Sequence, residues 1–200
     1  MQSKTGTIIK WDEKDDIQRI VTYAEVEAAQ ALNTVLEYKY VFDFFISDEK
    51  YINQAPFFWG EVLVSLRYTM LMRAARIFDE SKDALGMKKI LNMIEQSIHG
   101  QQSSEIIKDI WKQYNNNASQ INQIRLLRDK LYAHNDKTEY QDWKHDRDIE
   151  FDSEVWFHLE ELLRWAKESY LKLRTSWGES YPLYFEIKND VYKIKDYQDR

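Results

Sequence analysis

Ile17, Val21, Ala24, Ala28, Ala31, Val35, Tyr38, Phe42 and Phe45 follow one another at alternating intervals of four and three, a spacing that an α-helix gathers into a single stripe. The helix that carries this stripe is roughly 45 Å long at about 1.5 Å per residue. Everything else in a chain of 200 residues has to be built around it. The three alanines at its middle let another helix come close, while the aromatic end asks for a wider gap or a partner surface. A dimer seam and an intramolecular core fit the stripe equally well.

The remaining sequence continues in helical periods. Ser47–Asn53 reads as a turn, and Pro56 stands where a helix favours starting. The second helix runs to about Phe78, with Phe58 or Trp59, Leu63, Leu66, Met70 and Ile77 inward. Glu80–Asp83 is a polar break. A third helix spans about Leu85–Ile98, with Met87, Ile90, Leu91 and Ile94 inward and Gly100 as its stop. Ser104 opens a fourth helical region through Ile107, Ile110, Trp111, Tyr114, Ile121, Ile124, Leu127 and Leu131, with a bend at Asn115–Asn117, a run that forms helix poorly. Asn135–Arg147 reads as a polar loop. Ser153 then caps a fifth helix carrying Val155, Leu159, Leu162, Ala166 and Leu173. The alternation within Leu183–Lys195 around Asn189-Asp190 suggests a small C-terminal β-hairpin. The expectation is an all-α bundle of about five main helices, one domain over residues 1–200 with its core at about 15–175.

Composition agrees and narrows the functions open to the chain. Five glycines and two prolines suit long helices rather than a sandwich or barrel rich in turns. The absence of cysteine removes disulfides, thiolate metal ligands and a thiol nucleophile. The first residues, MQSKTGTIIKWDEKDD, have no apolar run of the kind a signal peptide needs, and Ala55–Leu66 is too short to span a bilayer, so a cytoplasmic location is expected. A formal charge of -6 argues against indiscriminate binding to a phosphate backbone, so any nucleic-acid contact must be local. No glycine-rich phosphate loop and no Ser-His-Asp arrangement is visible.

The densest patch of potential chemistry is IRLLRDKLYAHNDK, Ile124–Lys137, where Arg128 and His134 stand with five residues between them at the end of a helical pattern. About 0.6 such pairs at spacings of four to six are expected by chance in this composition, so the weight comes from context. Asp129 directly follows the arginine, and the histidine meets the stop signal Asn135-Asp136. This stretch resembles the Arg-polar-x-His signature of the HEPN superfamily, and in particular its abortive-infection, AbiU-type branch. The likeness extends to ARIFDESKD, Ala75–Asp83, which is similar to the arginine and Phe-Asp pair that ends an early helix in that branch.

The resemblance implies a homodimeric helical bundle in which two copies of the signature face each other, and metal-independent RNA cleavage. No cofactor or metal is expected. An antitoxin or defence-system protein is a further partner suggested by it. The related pattern with a tyrosine two residues after the histidine is not met, because that position is Asp136 and Tyr140 lies too far along.

The chemistry can also be reasoned from the residues. An imidazole with an ordinary pKa of about 6.5 can take the 2′-hydroxyl proton or give one to the leaving oxygen. A guanidinium forks onto phosphate oxygens and offsets the charge that builds there. Six helical steps turn about 600°, so Arg128 and His134 of one chain would point about 120° apart. Either the backbone leaves the helix before His134, or a two-fold axis sets the histidine of one chain beside the arginine of the other. Asp129 and Asn135 are supporting candidates, the first orienting the arginine or a histidine and the second holding phosphate or sugar. Arg125, Lys130 and Lys137 are candidate RNA contacts, with Lys88 and Lys89 farther off.

Each feature also has a plainer account. Arg128 can be a helix-end arginine paired with a carboxylate, His134 a helix cap, and Arg76 with Asp79 a structural pair. Asp142, His145, Asp146 and Asp148 have no spacing that fixes a metal geometry and read as a solvated loop. Three readings follow: a HEPN-type endoribonuclease that leaves a cyclic phosphate and spares DNA, a non-catalytic helical bundle that binds a partner protein or nucleotide in a phage-defence or toxin-antitoxin system, or a purely structural oligomerisation module.

Overall fold

The four-three stripe folds as α1, Glu13–Ser47, 35 residues and so about 52 Å long. From Ile17 to Tyr38 every member of the stripe is buried within the chain itself, which makes this stretch intramolecular core rather than a dimer seam. Phe42 is exposed at the far end. The computed structural model describes residues 13–47, 53–133 and 153–178, which form an all-α bundle with no strand among them.

Around α1 stand α2 (Pro56–Ile77), α3 (Met87–Glu95), the short α4 (Ile98–Gln102), α5 (Ser104–Asn116), α6 (Ala118–Ala133) and α7 (Ser153–Ser176). Helix α1 packs most extensively on α7 and α2. The core runs through all the longer helices, from Ile17 on α1 to Leu173 on α7. Between α1 and α7 lies one fully buried ion pair, with Arg174 donating from Nε to Glu25 Oε2 at 2.7 Å.

Among the described residues there are seven helices where about five main ones were expected. The third region divides because α3 stops at Glu95 and the hydroxyl of Ser97 accepts from the His99 amide, which starts α4. Gly100 therefore does not end a helix. It lies inside α4, where a Cβ would meet the carbonyl oxygens of Glu95 and Ile94 at 2.6 and 2.8 Å, so the missing side chain lets the chain turn back tightly on α3. The fourth region breaks at Asn117, as its asparagine run suggested. On α2 only the second half is deeply buried, from Met70 onward, and Phe58 is exposed. Periodicity marks a position as inward by residue type, but burial needs a partner surface, and Phe58 has the edge of its neighbour Trp59.

The hairpin expected within Leu183–Lys195 and the polar loop Asn135–Arg147, with its Asp142, His145, Asp146 and Asp148, lie outside the described residues.

Candidate functional site

The site is built from the ARIFDESKD segment. Ala74, Ala75 and Ile77 bury the last turn of α2 against the core, and Phe78 follows with its ring fully buried and stacked on Trp165 of α7, centroids 6.4 Å apart. This anchor fixes where the helix ends, so the next two residues, Asp79 and Glu80, are delivered to a set place on the surface.

Asp79 closes a turn by accepting from the Ser81 amide at 2.8 Å. The chain then returns so closely that a Cβ on Gly86 would sit 2.0 Å from the Asp79 carbonyl oxygen. Only glycine fits there, and Met87 goes on to bury itself as the first residue of α3.

Two carboxylates thus face α5 and α6. Asp79 Oδ2 accepts from Arg128 Nη1 at 2.9 Å, and Asp129 Oδ1 accepts from Arg128 Nε at 2.9 Å and lies 2.9 Å from Nη2. Glu80 accepts from the Tyr114 hydroxyl at 2.9 Å and pairs with Arg125 at 3.3 Å and Lys88 at 3.5 Å. Three cations thus meet three carboxylates, with Glu80 shared by Arg125 and Lys88 and Arg128 held by both Asp79 and Asp129.

The protonation states follow from this arrangement. Burial pushes the Asp79 carboxyl up, but the Ser81 hydrogen bonds and the Arg128 charge outweigh it and hold the group below its ordinary value. Glu80 behaves the same way, with burial opposed by the Tyr114 hydroxyl, Lys88 and Arg125. Burial and the neighbouring Glu80 push the Tyr114 hydroxyl far up, so it stays protonated and donates. For Arg128 burial works against the cation, and Asp129 and Asp79 more than restore it.

Arg128 is therefore a fixed, permanently charged group with 18% of its side chain exposed. A guanidinium has five N–H bonds. Those on Nε, one on Nη1 and one on Nη2 face the carboxylates, and one N–H on each terminal nitrogen is not taken up by them.

The structure thus brings together Arg128, Asp129 and Arg125 from the sequence-based candidates. His134, Asn135 and Lys137 lie outside the described residues, as does the side chain of Lys130, and the described part of α6 runs to Ala133. The expected pairing of Arg76 with Asp79 is replaced: Arg76 reaches Glu27 at 3.6 Å, and Asp79 belongs to Arg128. Glu80, Tyr114 and Gly86 were not foreseen. The position of Glu80 beside Asp79 in the motif was the one available signal, whereas Tyr114 looked like a core residue and nothing in the local sequence marks Gly86 as facing a backbone.

The chain matches the HEPN family model described as AbiU2 over residues 14–150. No curated protein and no solved structure matches it. The matched stretch includes both the Ala75–Asp83 segment and the Arg128–His134 signature, the two pieces of sequence that the fold ties together through Asp79 and Arg128. With more than half of its length matched and an all-helical bundle around those residues, the chain belongs to the AbiU2 family of the HEPN superfamily.

Proposed function

We propose that the protein is a metal-independent endoribonuclease that works as a homodimer, with Arg128 and His134 meeting in a composite site. The observation that carries this reading is the guanidinium of Arg128, locked by Asp79 and Asp129 in one orientation yet keeping N–H bonds for a phosphate. Preorganised charge of this kind stabilises a transition state without a cost in reorganisation.

In the reaction, the 2′-oxygen attacks the adjacent phosphorus and gives its proton to an imidazole. The bond from phosphorus to the 5′-oxygen breaks, that oxygen takes a proton, and a 2′,3′-cyclic phosphate remains. His134 supplies the proton transfers, and Arg128 neutralises the charge that develops on the non-bridging oxygens. Asp129 positions Arg128, Asn135 holds phosphate or sugar, and Arg125, Lys130 and Lys137 guide the strand. The protein acts as one domain in the cytoplasm.

The test is cleavage of single-stranded RNA in excess chelator. Wild-type protein should cut RNA and leave DNA intact, and His134→Ala and Arg128→Lys should each lose at least about a hundredfold in rate while the helical circular dichroism is unchanged. Full activity in His134→Ala ends the proposal.

A second reading has its own support. The described cations of the site are balanced by carboxylates, and Arg128 holds two of them, which suits a non-catalytic bundle that binds a partner protein or a nucleotide in a phage-defence or toxin-antitoxin system. That reading expects no cleavage from protein free of contaminating nuclease.

A further inference from the structure

Beside the Arg128 cluster, a cavity of about 470 Å³ opens between α1, the end of α2 and the turn that leads into α3. Its depth is apolar, formed by Ala24, Ile77 and Ile90. Its rim is not. Arg19, Tyr23, Arg76 and Glu27 stand round the mouth, and Asp79, the partner of Arg128, forms the edge nearest the candidate site.

The rim side chains are unusually available. Tyr23 is 58% exposed, although a ring that served only packing would be turned inward. The side chains of Arg19 and Arg76 are 80% and 62% exposed. Their carboxylate neighbours lie at 4.0 Å for Asp16 and 3.6 Å for Glu27, beyond hydrogen-bond length, so the guanidinium N–H bonds are not consumed. Glu27, with 18% of its side chain exposed, also lines the cavity.

We infer that this cavity binds one nucleoside phosphate, a nucleotide of single-stranded RNA that flanks the phosphate held at Arg128. A flat ring over an apolar floor, stacked on an exposed tyrosine, with two arginines for its phosphate, is the chemistry of a single-strand subsite. The apolar floor sets it apart from a plain phosphate site, which would need no greasy depth. Glu27 can accept from the amino group of adenine, cytosine or guanine or from the N3–H of uracil, so it can engage a base without choosing among them. Because Asp79 belongs both to the rim and to Arg128, the subsite and the reacting phosphate lie along one continuous strand path. The assignment of RNA rests on the ribonuclease reading, but the nucleoside-phosphate chemistry does not.

The experiment uses the full chain in two arms. In the first, binding of a fluorescein-labelled single-stranded RNA to His134→Ala protein is measured by anisotropy, with Tyr23→Ala, Tyr23→Phe, Arg76→Ala and Arg19→Ala added one at a time. Tyr23→Ala should weaken binding about fivefold or more while Tyr23→Phe, which keeps the ring, stays within about twofold. Arg76→Ala and Arg19→Ala should weaken binding and flatten its salt dependence. In the second arm, AMP is titrated by calorimetry into wild-type, Tyr23→Ala and Tyr23→Phe protein, with affinity lost in Tyr23→Ala and kept in Tyr23→Phe.

Wild-type protein that binds AMP through Tyr23 but never cleaves RNA would keep the subsite and end the ribonuclease reading. Wild-type protein that cleaves RNA with the same KM in Tyr23→Ala and Arg76→Ala would overturn the subsite and leave the ribonuclease standing. Binding of RNA alone, with no AMP bound but with loss in Tyr23→Ala, supports the RNA source over a free nucleotide. Equal affinity in Tyr23→Ala and Tyr23→Phe in both arms overturns the subsite.

Discussion

Asp79 shows how a single carboxylate can serve both stability and a site. It accepts from Ser81 and from Arg128, and those contacts hold its pKa below the ordinary 3.8. A group depressed in this way contributes stability in full above 3.8, and the contribution is lost as pH falls through the lower value of the folded state. Asp79→Asn, which keeps the shape and removes the charge, should cost about 1 kcal/mol at neutral pH in urea unfolding. The gap between variant and wild type should close once the medium is acid enough to protonate the wild-type carboxyl. A gap that stays constant down to strongly acid pH would mean that the charge on Asp79 is not what binds Arg128. Glu80 is depressed as well, by Tyr114, Lys88 and Arg125 after its burial is offset, so both carboxylates of the Phe-Asp-Glu run titrate on the acid side.

Among the elements, the turn between α2 and α3 does the most to set the site, and its geometry depends on Gly86. A methyl there would lie 2.0 Å from the Asp79 carbonyl oxygen, against backbone that cannot yield as a flexible side chain would. Gly86→Ala should therefore destabilise the fold by about 1–3 kcal/mol, read as a lower urea midpoint. It should also weaken any activity that depends on Arg128, because Asp79 must move. A control at Gly60, where nothing lies within 4 Å of an added Cβ, should leave both properties unchanged or slightly improve stability.

At the level of the whole molecule, Glu25 and Arg174 join the first and last described helices through a pair with 0% and 2% of their side chains exposed. Removing Glu25 takes away the opposite charge held 2.7 Å from the buried Arg174, and Glu25→Ala should cost about 3–5 kcal/mol in unfolding free energy. Replacing both by apolar residues of similar volume, Glu25→Leu with Arg174→Met, should recover most of that loss. A double variant as unstable as Glu25→Ala would show that the loss comes from packing around α1 and α7 rather than from the lost opposite charge. No helix among the described residues is long and apolar enough to cross a membrane.

The sequence alone determined the elements and their inward faces wherever a helix meets partners along its length. The α1 stripe from Ile17 to Tyr38, the four core residues of α3 and the break at Asn117 were all readable, because a repeat of 3.6 residues and local propensity act over a few turns. The family was readable too, since its two motifs are short strings of particular residue types. What the tertiary structure decided is who meets whom. That Asp79 serves Arg128 and Arg76 serves Glu27, that Glu25 is buried on Arg174 and that Gly86 faces a backbone all depend on distances between segments far apart in the chain. Charge pairing and close packing are set by those distances in space, and a one-dimensional pattern carries none of them.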